Sequence, residues 1–524
     1  MPPPRETPPV ISPVGGFSPS DEDSGGDGAP GIPGPDAPAR HPAGLASLFF
    51  TEMWERFSYY GMRALLVLFM VDAVRGGLGL SDRVATAIYG IYTGAVYLMS
   101  LPGGWVGDRL LGRQGAVWNG GVLILLGHLL LAVPRPLTFF PGLALVVAGS
   151  GLLKPNMSAL VAELYPEGGA RRDAGFTIFY MGVNLGAALG PFVCGALGER
   201  WNWHYGFGAA SVGMALGLVQ FRLSRGRLGG AGQRPANPLP PGWQRRAAPI
   251  AVRAAAGLLL LGLLVWWFRP GAVVIARCMT TVILVVGALF YGRLFAPGCL
   301  ARGERRGVWM ILILLVASAL FWAGFEQAGS SFNLFAGRYT DRVVALPGWL
   351  GGPREIPAGW FQSLGAVFVI LFAPVFAALW VRLGRRGLNP PTSVKFGLGL
   401  LSLASGFVIM AGAAVVVAGG GKAAPVWLMA TYLVHTFGEL CLSPVGLSSV
   451  SQLAPARLVG RLLGVWYLAT ALGNVVAGLL AGSFEPGSPG TWPAVYARIL
   501  VPPVLAGIAL IALARPLQRW LRRG

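Results

Sequence analysis

From Ala43 onward, long apolar runs alternate with short polar breaks rich in Arg, Gly and Pro. Six runs fall at about 44–73, 84–106, 114–133, 138–164, 174–197 and 204–222. After a polar connector from Leu223 to Pro249 come two more, at about 250–268 and 271–295, turned at Arg269-Pro270-Gly271. Six others follow at about 308–336, 358–382, 393–418, 425–452, 458–482 and 493–516. A helix of ~20 apolar residues crosses the ~30 Å hydrocarbon core of a bilayer. The pattern therefore predicts an all-α polytopic membrane protein of about 14 spans: six, an inserted pair, and six. In domains this reads as a tail over 1–42, a six-helix bundle over 43–222, a connector with the inserted pair over 223–307, and a second bundle with a short basic tail over 308–524. The tail is rich in Pro, Gly, Ser and Asp and is expected to be disordered. It lacks the basic-then-apolar start of a secretory signal peptide.

Composition supports this class. Hydrophobic residues make up 54% of the chain and charged ones 12%, and the mean hydropathy is +0.61. A soluble chain of this length does not carry such values. The net charge of +20 invites nucleic-acid binding, but the basic residues lie in short loops between spans, and no basic-aromatic module follows. Lys and Arg are about twice as frequent in the loops on one side. That bias predicts a multi-pass membrane protein with both termini cytoplasmic. Cys194, Cys278, Cys299 and Cys441 lack paired spacing, and the four histidines are scattered, so neither a disulfide frame nor a metal or other cofactor is expected. No Gly-x-x-x-x-Gly-Lys loop appears, which disfavours transport driven by ATP.

The informative residues are ionisable groups inside the spans. In the first run, Glu52, Glu55, Arg56, Tyr59 and Arg63 fall on one helical face, with Tyr60 at its edge. Lys154 lies in the fourth run, Glu326 in the ninth and Glu439 in the twelfth. Each charge at bilayer depth costs at least ~2.5–3.5 kcal/mol, so such groups must face one another or water. Four carboxylates and three cations predict pairing around a wet cavity. A structural ion-pair lock between helices is the alternative. Pro155 and Pro444 are expected to interrupt their helices beside Lys154 and Glu439. His128 and His435 read as core residues, and Glu163 and Arg200, near span ends, as solvated.

Two resemblances refine this reading. Gly103-Gly104-Trp-Val-Gly107-Asp108-Arg109-Leu-Leu-Gly112-Arg113 resembles the signature loop of the major facilitator superfamily, with Asp108, Arg109 and Arg113 as a cytoplasmic latch. Glu52-x-x-Glu55-Arg56-Phe-x-Tyr59-Tyr60-Gly61 resembles the first-helix motif of the proton-dependent oligopeptide transporter (POT) family. Further matches include Phe176 through Gly186, Trp322 through Gln327, Trp360 through Leu364, Gly438 through Ser448, and Gly464 through Asn474.

The resemblance, with an inserted helix pair typical of bacterial members, implies a major facilitator fold in an inner (plasma) membrane of bacterial type and symport of di- and tripeptides with protons by a monomer. It places Glu52, Glu55, Arg56, Lys154 and Glu326 in proton coupling. Arg56 and Lys154 would meet the peptide carboxylate and Glu439 its amine, with Glu326 linking its helix to substrate or gating. Tyr59, Tyr60, Arg63, Tyr97 and Asn184 would line the pocket from the first half, and Trp322, Phe437, Ser443 and Trp466 would shape it from the second. Where the family has Asn-Pro, this chain has Gly365-Ala366, so one amide contact is missing. Transport of another small anion or zwitterion, such as nitrate, is the second reading. A membrane enzyme or sensor is the third, with no catalytic constellation behind it.

Overall fold

The computed structural model describes residues 41–524 except 168, 241, 244–248, 250–252, 254–266, 345–353, 486 and 523–524. The tail and nearly all of the first inserted run lie outside the described residues. In the first half the spanning helices are α1 (Ala43–Val71), α2 (Asp82–Val106), α3 (Arg113–Ala132), α4 (Pro136–Glu163), α5 (Gly169–Arg200) and α6 (Trp203–Ser224). The second inserted helix is α7 (Ala272–Leu294). The last group is α8 (Arg302–Phe325), α9 (Ser331–Tyr339), α10 (Ser363–Arg385), α11 (Thr392–Ala418), α12 (Pro425–Leu453), α13 (Val459–Ala481) and α14 (Trp492–Ala512), followed by the short α15 (Ala514–Arg522).

Among the described residues, 11 helical segments are long and apolar enough to cross a membrane. Two helices of 29 residues, α1 and α12, stand outside that set. Polar groups dilute both, and α1 alone carries four charges in its middle. Of the two, α1 is enclosed by the chain, with its four charges buried.

Packing within each half follows the small residues. α1 packs on α5 and α6, α2 on α4, and α3 on α4 and α6; in the other half α11 packs on α12 and α14, and α8 on α11, α12 and α13. A Cβ added at Gly61 of α1 would stand 2.5 Å from Cys194 Sγ of α5, so only glycine permits that approach. The halves meet along α2–α13 and α5–α10. There a Cβ on Gly90 would lie 3.0 Å from the Gly478 Cα.

Two expectations change. Pro155 and Pro444 leave α4 and α12 continuous. Each removes one backbone donor without breaking its helix, as neighbouring helices in a membrane permit. The interruption lies instead at Glu326–Gly329, a 3₁₀ turn between α8 and α9. A π-helical turn over Gly107–Leu111 ends α2. A two-residue antiparallel ladder pairs Val343 with Glu355 and Val344 with Arg354.

Candidate functional site

A cavity of about 360 Å³ lies between the halves, walled by α1, α2, α4 and α5 on one side and by α8, α10, α12 and α13 on the other. Glu52, Arg56, Tyr60 and Arg63 reach it from α1, Tyr97 from α2, Lys154 from α4 and Asn184 from α5. Trp322, Glu326, Glu439 and Ser443 reach it from the second half.

The charges pair unevenly. Arg56 Nε lies 2.7 Å from Glu52 Oε1 and 3.0 Å from Glu55 Oε2. Arg63 Nη2 lies 2.5 Å from Glu326 Oε2 and so joins α1 to the turn after α8. Lys154 and Glu439 have no ion-pair partner among the described residues. Lys154 instead stands over two rings, with Nζ 4.1 Å from the centroid of Tyr59 and 5.3 Å from that of Tyr97. An ammonium held on aromatic faces keeps its hydrogen-bond donors for a guest. One cation and one anion therefore remain unmatched, on opposite walls.

Some predicted residues stand behind the wall. Glu55 is fully buried under Arg56, and Tyr59 is 3% exposed, stacked on Tyr92 at 6.3 Å. The cavity is centred nearer Glu52, Arg56, Tyr60 and Arg63, so Tyr60 faces it and Tyr59 supports Lys154. Phe437 packs on Phe372 and Phe376 of α10, at 5.0 and 5.5 Å. Two residues along a helix is a rotation of ~200°, which turns Phe437 away from the Glu439 side. Trp466 packs on Phe396 at 6.2 Å, and its neighbour Tyr467 faces the cavity.

Other wall residues were not among the predicted site residues. They include Ser100, Ser158, Tyr180, Tyr432, Tyr467 and Gln362. Tyr180, Gln362 and Tyr467 fall in stretches that match the family, but aromatic and polar residues occur throughout membrane spans, so their order alone does not mark which side chains reach the wall. Gln362 Nε2 and Ser443 Oγ are buried without a hydrogen-bond partner among the described residues. A buried donor of this kind is costly unless a ligand or water satisfies it. Asn184 donates to the Tyr180 carbonyl at 2.9 Å. Gly365 and Ala366 line the same wall, and a Cβ added at Gly365 meets open space.

Beyond the cavity, one end is tied shut. Arg338 of α9 grips Asp82 at the start of α2, at 2.5 and 2.9 Å. Asn333 donates to the Ala64 carbonyl at 2.8 Å. Glu199, at the end of α5, accepts 2.7 Å hydrogen bonds from the backbone N–H groups of Ala358 and Gly359. Trp360 and Ser363 donate to carbonyls of α5, at 3.0 and 2.7 Å. Acidic and basic residues at span ends look solvated in sequence, so this seal was not legible there.

The predicted latch lies at the opposite end, inside the first half. Arg113 Nη2 stands 3.1 Å from Asp108 Oδ1 and also pairs with Glu163. Arg109 donates to the Asn237 carbonyl of the connector at 3.3 Å. Glu163 is thus paired where solvation was expected, because the π-turn carries Asp108 and Arg113 toward α4. Arg200 stands over the Trp360 ring at 5.5 Å.

The sequence profile of the POT family matches residues 115–240 and 292–490. The peptide transporter YePEPT of Yersinia enterocolitica is 41% identical over 500 residues, covering 92% of this chain and 95% of the relative. A di-/tripeptide transporter of Lactococcus lactis is 34% identical over 488 residues, covering 92% and 96%. A crystal structure of a mutant peptide transporter POT in complex with alafosfalin superposes with a TM-score of 0.84 at 39% identity, covering 92% of this chain and 96% of that one. The helical arrangement is the one the major facilitator resemblance implies.

Proposed function

The chain belongs to the POT family, and on that premise we propose that it is a proton-coupled symporter of di- and tripeptides working by alternating access. The observation that carries the reading is the pair of unmatched charges. Arg56 is shared by Glu52 and Glu55 and Arg63 is taken by Glu326, which leaves Lys154 and Glu439 without an ion-pair partner among the described residues, on opposite walls. A zwitterionic peptide brings a carboxylate for Lys154, with Arg56 beside it, and an amine for Glu439. Nitrate offers Glu439 nothing, so the peptide fits better than a simple anion. The transporter family gives no support to an enzyme.

The cycle follows from which pairs must break. The cavity is sealed at the end holding Asp82, Glu199 and Arg338. Loop charge makes that the outer end, with both termini cytoplasmic in the inner membrane of a monomer. The structure then corresponds to the inward-facing state. Return to the outward-facing state requires the halves 43–222 and 308–524 to rock apart there, which separates Arg63 from Glu326. Protonation of Glu326 removes the anionic half of that pair and eases the opening. On the first helix, a peptide carboxylate drawn to Arg56 competes with Glu52 and Glu55, and the displaced carboxylate takes up the second site of proton exchange. Peptide and proton thus bias the same rocking motion.

The test is uptake into proteoliposomes. Labelled dipeptide should accumulate against its gradient when the outside is made acid, and a protonophore should abolish this. Unlabelled tripeptide should compete, and nitrate and free amino acids should not. Uptake indifferent to the imposed gradient overturns symport, and competition by nitrate alone overturns the peptide assignment.

A further inference from the structure

The inserted helix α7 has no part in the cycle above, yet it builds a second concavity. α7 packs on α2 and α13, and α8 also packs on α13, but α7 and α8 barely touch. Between them runs a groove of about 380 Å³ floored by α13. Small residues give it depth: Gly287 and Ala288 on α7, Ala319 on α8, Ala469 and Gly473 on α13. α7 beside it is open to the bilayer, with Leu284 54% and Leu289 68% exposed. From Val465 to Val476 the floor advances eleven residues, ~16 Å, which is half of the ~30 Å hydrocarbon core and so the depth of one leaflet.

One end of the groove carries the marks of a headgroup zone. Phe295 and Trp309 stack there, with ring centroids 4.5 Å apart, and the Arg305 guanidinium stands 5.7 Å over Phe295. Arg305 precedes Leu312 by seven residues and Arg461 precedes Val465 by four, so both lie on the groove side of their helices. Both are exposed. Interfacial aromatics followed by arginines are what a phospholipid with a negative headgroup meets at the membrane surface.

We propose that this groove is a binding site for one anionic phospholipid, with an acyl chain between α7 and α8 and its phosphate region held by Arg305 and Arg461. The lipid fills the space that the two helices leave unpacked and joins the inserted helix to the second half.

Native mass spectrometry of the full-length protein, exchanged into mixed phosphatidylglycerol and phosphatidylcholine micelles, tests this directly. The protein should retain one phosphatidylglycerol, preferred over phosphatidylcholine by roughly 30-fold for two arginine contacts. Gly287→Trp, whose side chain enters open space in the groove, should lose that lipid. Leu289→Trp, at a position 68% exposed on the opposite face of α7, should keep it. The Arg305→Gln, Arg461→Gln double variant should retain either lipid equally. Should Gly287→Trp fail to fold, Gly287→Leu serves in its place. Retention of phosphatidylglycerol by the groove-filled variant, or no preference in the unaltered protein, overturns the proposal.

Discussion

Arg63 Nη2 and Glu326 Oε2 stand 2.5 Å apart across the two halves, and the Tyr89 hydroxyl lies 3.4 Å from the same carboxylate oxygen. Neither side chain of the ion pair is more than a tenth exposed. Glu326 is also where α8 gives way to a 3₁₀ turn, so the pair ties the joint between α8 and α9 to α1. Glu326→Gln should keep the fold and retain peptide binding within about 3-fold, yet lower proton-driven accumulation by at least about 10-fold. Paired binding and uptake measurements check this. Full accumulation by the variant would falsify the role in coupling.

Glu439→Gln removes the anion without changing the side chain's shape. A hydrogen bond to a charged group contributes ~1.5–3 kcal/mol, so peptide affinity should fall roughly 10- to 100-fold. An N-acetylated peptide, lacking the amine, should bind the variant and the unaltered protein alike. Calorimetric titration of both peptides distinguishes lost amine recognition from general damage.

Lys154→Ala should abolish uptake driven by a proton gradient. It should also reduce the preference for a free carboxylate: the unaltered protein should favour a dipeptide over its C-terminal amide about 10-fold or more, and the variant, with Arg56 alone, should favour it markedly less. Tyr59→Leu, which withdraws the ring 4.1 Å from Nζ, should weaken the same preference by about 2- to 5-fold.

Glu199→Ala strips the acceptor from two backbone N–H groups at the sealed end. Each orphaned donor costs ~1–3 kcal/mol, enough to move the equilibrium toward opening there by 10-fold or more. An impermeant maleimide added from that side should label a Ser443→Cys reporter correspondingly faster. An unchanged labelling rate rules out Glu199 as part of the seal.

Gly365→Asn restores an amide where open space now faces the cavity. It should tighten binding of dialanine by up to about 5-fold, through one neutral hydrogen bond, and weaken peptides with bulky side chains. Competition by dialanine and by a phenylalanine-containing dipeptide reads both effects.

Much of the fold was legible because a membrane makes each span announce itself. The prediction at 84–106 meets a helix at Asp82–Val106, and that at 425–452 meets Pro425–Leu453. The stripe on α1 was legible for the same reason, since charge at bilayer depth is too costly to be incidental. Partnership was not. Order along the chain says nothing of whether Glu326 meets Arg63 or Lys154, because that depends on how two halves lean together. Side-chain direction failed at Phe437 and Tyr59, where a rotation of one or two residues separates wall from support. Asp82, Glu199 and Arg338 stayed hidden because a charge at a helix end is ordinary until a partner from the other half appears.

Glu199 grips amide hydrogens of Ala358 and Gly359, which belong to the polypeptide itself and to no particular residue type. Genetic drift at positions 358 and 359 can alter bulk there, but only proline could delete a donor. Tuning of this contact by substitution is therefore nearly one-sided, and related chains that differ in how readily they open at that end should differ first at the position of Glu199.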